Sequence, residues 1–221
     1  MIVEGKNVYI YGEKDVLAPI VIMNTFQGDG SDVYNALKGM TDKKICLAVI
    51  SDIDWNKEMS PWECLPFRKN DSPFTGGADD YLQKLVHEII PAIKGELKFE
   101  PEEIVIAGYS LAGLFAVYSL YKTDIFSAAV SASGSMWFPD FKEYTEANEF
   151  CRKPGKVYFS LGDKEAKTRN ALLANVEKNT ADIYKRYKSL GIDTIFEMNP
   201  GNHFQDADLR LSKGIAWILG G

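Results

Sequence analysis

Residues 104–113 read Ile104-Val105-Ile106-Ala107-Gly108-Tyr109-Ser110-Leu111-Ala112-Gly113 and run on into Leu114-Phe115-Ala116-Val117-Tyr118. A short β-branched run meets a longer apolar run of helical character, and a serine stands at the junction among small residues. A tight strand-to-helix turn with an ordinary serine has the same composition as a strained turn that presents a nucleophile. What the chain brings up to Ser110 decides between them.

Working outward, strand-like runs recur at 7–11, 19–23, 45–50, 104–107, 126–131, 157–161 and 194–198. Several are unbroken Val/Ile/Ala stretches, which suits strands buried on both faces. Helical patterns fill the intervals at 32–40, 79–97, 111–121, 169–190 and 206–219. Ser31 or Asp32 is the expected N-cap of the first. In the second, Leu82, Leu85, Val86, Ile89, Ile90 and Ile93 make an apolar stripe, and Pro91 predicts a kink. Gly191 is a natural stop for the fourth. This alternation predicts an α/β fold, a mostly parallel central sheet with helices on both faces. No repeat, low-complexity tract or linker breaks the chain, so one domain over 1–221 is expected.

Two irregular stretches remain, 51–77 with Trp55, Trp62, Phe67 and Phe74, and 133–154 with Trp137. Long irregular segments in a compact fold usually serve function. Both follow strands, so they belong at the carboxyl edge of the sheet, where α/β proteins bind ligands. Trp55, Trp62 and Trp137 are therefore expected to line a substrate pocket. A satellite core beneath the loops is the competing use for such aromatics.

The bulk numbers exclude more than they assign. Of 221 residues, 46% are hydrophobic and 25% charged, with a formal net charge of −6. Lysine and arginine do not cluster, so neither nucleic acid nor an anionic membrane is an expected partner. The first residues lack a basic segment followed by an apolar one, and no apolar run is long enough to span a bilayer. Cys46, Cys64 and Cys151 are odd in number and widely spaced, which reads as free thiols in a reducing compartment. A cytoplasmic location is expected; oligomeric state stays open.

Small residues around a serine between strand and helix are the ingredients of a nucleophile elbow. The serine sits in a strained conformation at the strand end and its neighbours pack too closely for large side chains. The helix beneath it offers free N–H groups and a positive dipole end to a developing oxyanion. Of the two histidines, His87 falls inside the long helical pattern, whereas His203 lies in Asn199-Pro200-Gly201-Asn202-His203-Phe204, between the last strand and the last helix. His203 is the expected general base, and activity should then rise with pH as the imidazole becomes neutral. A carboxylate after the strand at 157–161 should orient it: Glu165 is favoured because it can curl back over the strand end, with Asp163 as the alternative acid. The oxyanion hole needs the N–H of Leu111 and a second donor from the loop after 19–23, where Thr25 and Phe26 both qualify. Gly28-Asp29-Gly30 lacks the spacing and the lysine of a phosphate loop and reads as a turn. Two histidines cannot readily build a histidine zinc site, so no metal and no cofactor are expected.

Several motifs together carry a resemblance: Asp54-Trp55 with Ser60-Pro61-Trp62, Gly76-Gly77-Ala78-Asp79, Gly108-Tyr109-Ser110-Leu111-Ala112-Gly113, Ser133-Gly134-Ser135-Met136-Trp137 and Gly201-Asn202-His203-Phe204. The chain resembles the α/β-hydrolase-fold esterases of the putative esterase group, which includes the enterochelin (siderophore) esterases and S-formylglutathione hydrolase. The resemblance implies a serine esterase with Ser110 as nucleophile, His203 as base and the third residue in 163–165. Tyr109 and Ala112 depart from the His and Gly common around that serine in siderophore esterases, and 133–154 is too short for a large cap domain. The expected activity is hydrolysis of a small or medium carboxylic ester through an acyl-enzyme. A thioesterase or acyltransferase would use the same residues, and a non-catalytic binding domain is the rival of another class. Arg68 and Arg169 are arginines that could meet an anionic substrate.

Overall fold

The computed structural model describes residues 1–66 and 71–220. Phe67 and Arg68 lie outside them.

Eight strands form one sheet: β1 (Ile2–Val3), β2 (Lys6–Gly12), β3 (Ile20–Asn24), β4 (Cys46–Ser51), β7 (Ile104–Tyr109), β8 (Ala128–Ala132), β9 (Lys156–Gly162) and β10 (Asp193–Asn199), while β5 (Glu63–Cys64) and β6 (Phe74–Thr75) pair separately as a small hairpin. The order across the large sheet is β1-β2-β4-β3-β7-β8-β9-β10. Within this sheet, among the described residues, the pairings of β2 with β1 and β4 are antiparallel, and from β4 to β10 every pair is parallel. This is the mostly parallel sheet of the α/β-hydrolase fold. The unbroken apolar runs are buried throughout in β3, β4 and β8, as strands covered on both faces must be.

The helices are α1 (Ser31–Lys38), α2 (Trp55–Glu58), α3 (Ala78–Lys84), α4 (Ile90–Gly95), α5 (Leu111–Ser119), α6 (Phe141–Ala147), α7 (Val176–Ser189) and α8 (Ala207–Ile218). They divide between the two faces and bury two separate apolar clusters. One contains Ile22, Ile106, Leu114, Phe115 and Phe159; the other contains Val21, Val105, Val130, Tyr158 and Ile215. Neighbouring strand residues thus feed opposite cores, which is the period of two read from the backbone. Every residue of α5 is buried, so this helix has no solvent face, and each large side chain such as Leu114 or Phe115 contributes roughly 1.5–3 kcal/mol of burial.

Several local expectations give way. A π-helical turn over Leu85–Ile89 joins α3 to α4 where a kink at Pro91 is expected. Pro91 has no N–H for the His87 carbonyl and its ring crowds that oxygen; a wider turn relieves both. The N-cap of α1 is Gly30 in the left-handed region, not Ser31 or Asp32, and the Asp29 carboxylate accepts the Ser31 N–H instead. The helix expected from residue 169 starts late, because the Asn170 side chain accepts the N–H groups of Leu172 and Leu173 and holds a short 3₁₀ turn before α7. The irregular stretches hold α2, the β5–β6 hairpin and α6, elements too short to announce themselves by periodicity. Among the described residues no helix is long and apolar enough to cross a membrane.

Candidate active site

Ser110, Glu165 and His203 follow β7, β9 and β10 respectively, so parallel pairing brings all three to one edge of the sheet. Ser110 has φ 58° and ψ −122°, the strained conformation expected of the elbow. The turn closes so tightly that a Cβ on Gly108 would stand 2.3 Å from the backbone of Ala112. That contact, not backbone freedom, is why residue 108 has no side chain. The Ala112 methyl fits because residue 108 is bare; it would lie 2.6 Å from the same Cβ.

A continuous hydrogen-bonded chain runs from the serine. Ser110 Oγ is 3.0 Å from His203 Nε2, and His203 Nδ1 is 2.7 Å from Glu165 Oε2. The second oxygen of Glu165 accepts from Ser133 Oγ at 2.7 Å, the Gly162 N–H at 2.6 Å and Arg210 Nη1 at 3.0 Å. The Glu165 side chain is 4% exposed against 29% for His203. Burial pushes the Glu165 carboxyl upward, but the hydrogen bonds and charge of His203, with the Gly162 N–H and Ser133, outweigh it and hold it below the usual range.

Asp163, the alternative acid, is bound elsewhere. Its Oδ1 accepts the Gly201 N–H at 2.8 Å, and its own N–H donates to the Asn199 carbonyl. It fastens the turn after β9 to the loop carrying His203, and among the described residues the carboxylate bonded to the imidazole is that of Glu165. The Glu165 N–H donates to the Gly162 carbonyl, the curl over the strand end that favours Glu165.

Tyr109, beside Ser110, donates its hydroxyl to the His203 carbonyl at 2.7 Å. Burial raises its pKa, though Ser133 and Arg210 oppose the shift, so the donor keeps its proton. Ser135 Oγ lies 3.4 Å from Ser110 Oγ, and the Ser135 N–H donates to the Ser110 carbonyl.

The N–H of Leu111, in the first turn of α5, has no partner within its helix. Of the two candidates for a second oxyanion donor, Thr25 is corrected: its N–H donates to the Ile50 carbonyl at 3.0 Å and prolongs the β3–β4 ladder. Phe26 is the next residue along, and among the described residues no acceptor meets its N–H. Its ring packs edge-on against Trp55 at 5.3 Å.

A cavity of about 420 Å³ opens beside Ser110 and is lined by Trp55, Phe74, Trp137, Leu173, Val176 and Phe204, with His203 at its wall. Trp55 is held there through α2: Lys6 Nζ donates to the Asp52 carbonyl at 2.9 Å and to Glu58, which accepts the Asp54 N–H. Trp62 does not line this cavity. Its Nε1 donates to the Pro139 carbonyl at 3.1 Å, and its ring packs among Tyr118, Phe138, Phe141 and Tyr144. It packs under the loops against the same apolar cluster that holds Phe115 and Phe159. Arg169 is exposed and off the cavity.

Sequence reading missed Ser133 and Arg210. Both are buried, at 1% exposure, and both grip Glu165. The available signal for Arg210 was its place one turn before Gly214 at the border of the buried stripe of α8, where a charge needs a partner.

A family model described as putative esterase matches residues 32–203. Among solved structures, an IroE-like serine hydrolase from Shewanella oneidensis superposes with a TM-score of 0.77 at 18% identity, over 97% of this chain and 76% of that one. The siderophore hydrolase EstB from Aspergillus nidulans gives 0.74 at 16% identity, over 96% and 89%. The enterobactin esterase FES from Shigella flexneri gives 0.69 at 18% identity; this chain is covered to 97% but spans only 55% of that protein. No curated protein matches the sequence.

Proposed function

The chain belongs to the putative esterase family, and from that premise we propose that it is a serine-dependent carboxylic ester hydrolase working through an acyl-enzyme. The observation that carries this reading is the unbroken Ser110–His203–Glu165 hydrogen-bonded chain at the mouth of an apolar cavity.

Ser110 Oγ attacks the ester carbonyl while His203 Nε2 takes its proton. Glu165 holds the Nδ1 proton in place and stabilises the imidazolium. The tetrahedral oxyanion accepts from the N–H groups of Leu111 and Phe26; losing one such donor typically costs on the order of 100-fold or more in rate. The C–O bond to the alcohol breaks, and His203 returns its proton to the departing oxygen. Water, deprotonated by His203, then attacks the acyl-enzyme, and Ser110 recovers its proton as the carboxylic acid leaves. The substrate is a small or medium ester whose acyl or alcohol portion is apolar enough for the aromatic wall formed by Trp55, Phe74 and Trp137. Three free thiols suit a reducing, cytoplasmic setting.

The test compares wild type with Ser110→Ala on short-chain p-nitrophenyl esters and a matched thioester set. Loss of turnover in the variant, with a fluorophosphonate adduct on Ser110 in wild type, is expected. Equal hydrolysis by both proteins overturns the reading.

A further inference from the structure

Arg210 lies in α8 with 1% of its surface exposed. A guanidinium taken that far from water needs acceptors, and its acceptors come from four separate segments. Nη1 donates to Glu165 Oε1 at 3.0 Å, to Ser133 Oγ at 3.1 Å and, more weakly, to the Tyr109 hydroxyl at 3.3 Å. Nη2 donates to the Pro200 carbonyl at 2.8 Å. Those groups sit in the turn after β9, the turn after β8, the residue before the nucleophile, and the loop that carries His203. Space for the guanidinium exists because residue 162 is glycine: a Cβ there would stand 2.9 Å from Nη1 and 3.0 Å from Nη2.

The contact has an electrostatic side. Glu165 uses Oε2 for His203 and turns Oε1 to Arg210. A carboxylate facing an imidazole makes it more basic; a cation on the far side of that carboxylate offsets the pull. Other polar and charged groups surround His203, and most have partners of their own. Asp163 is bonded to the Gly201 N–H, Tyr109 donates to the His203 carbonyl, and Lys213 of the same helix is engaged with Glu197 and Asn199. Asp71 lines the cavity, Asp206 follows in the loop, and Lys164 is exposed.

Resting on the serine-hydrolase reading above, we propose that Arg210 is the positioning residue of this site: it fixes the acid turn, the elbow and the histidine loop relative to one another, and it limits how basic Glu165 makes His203. Arg210 touches neither substrate nor the reacting atoms and acts through Glu165 and Pro200.

With His87 and His203 the only histidines, imidazole C–H signals can be followed by NMR against pH without any turnover. His87→Gln assigns the pair, since His87 lies in the π-helical turn and bonds to Gln83, away from the site. In Arg210→Met the His203 titration should move up by about one pH unit. In Arg210→Lys, which keeps the charge but loses the planar fork, it should stay within a few tenths of wild type, while kcat falls about tenfold or more and KM holds. An unmoved titration in Arg210→Met overturns the proposal. So does wild-type kcat in Arg210→Lys, which also decides the matter if the methionine variant does not fold. Fluorophosphonate labelling of wild-type Ser110 reports separately: its absence defeats the hydrolase reading, and the NMR titration then decides the role of Arg210 by itself.

Discussion

The two sides of Ser110 are built differently. Toward His203 the site is bonded: Glu165 holds four donors, Asp163 ties two turns together, and Tyr109 and Arg210 reach across from β7 and α8. Toward the cavity it is shaped: Trp55, Phe74, Trp137, Leu173 and Val176 offer area and contour. Hydrogen bonds between segments far apart in sequence permit one arrangement, because each group left unmet in the interior is costly. Apolar contact tolerates changes of outline far better. On the function proposed above, the difference teaches that the chemistry and the choice of substrate rest on separable parts of the molecule, and mutations should separate them.

The largest effect should come from the bonded side. His203→Ala should lower kcat/KM by about 10⁵-fold with an intact fold; steady-state kinetics showing less than a tenfold loss would remove His203 as the base. Next comes the contrast between the two acids. Glu165→Gln keeps the shape but not the charge and should cost about 10³- to 10⁴-fold in kcat. Asp163→Asn should cost less than about tenfold, and a reversal of the two would reassign the acid.

The shaped side should respond in binding. Trp137→Ala should raise KM for aryl esters about tenfold and, because Trp137 is 8% exposed, should also reduce stability by about 3–5 kcal/mol in denaturant titrations. Trp62→Ala should lose comparable stability while the folded enzyme keeps its kcat and KM. A KM change in Trp62→Ala would return that residue to the substrate.

The smallest effect is on stability against pH. The Glu165 carboxyl titrates below its ordinary value in the folded protein, so the unfolded chain binds its proton first as pH falls. Its contribution is therefore complete above the ordinary carboxylate range, about 4.3, and disappears as pH drops through the lower folded value. Glu165→Gln also leaves Arg210 without its counter-charge, which typically costs about 3–5 kcal/mol when both groups are buried. The stability gap between wild type and Glu165→Gln should be widest near neutral pH and narrow below about pH 4. A gap that is constant with pH would contradict the direction of the shift.

Much of this was legible in the sequence because it rests on short-range rules. The elbow shows itself because strand, serine and helix must be adjacent and the neighbours must be small. His203 stands out because, of the two histidines, it is the one that falls after the last strand, at the same sheet edge as Ser110. Glu165 and Asp163 were harder to separate, since both sit in one turn and differ only in what the Gly201 N–H and the imidazole each select. Thr25 and Phe26 differ only in whether β3 stays paired for one residue more. Arg210 and Ser133 were not legible, because they lie 45 and 32 residues along the chain from their partner Glu165 and meet it only after β8, β9 and α8 have packed. Trp62 misled because its loop reaches the sheet edge while its ring turns inward to α6.

The backbone of Ser110, at φ 58°, belongs to glycine by preference, and a residue with a side chain held there costs about 1–3 kcal/mol. Ser110→Gly should therefore give an inactive protein that melts at a higher temperature than the active one. On the proposed reading, in a lineage released from the need for this hydroxyl, drift toward thermal robustness would erase Ser110 first, so inactivity and durability would arrive in the same substitution.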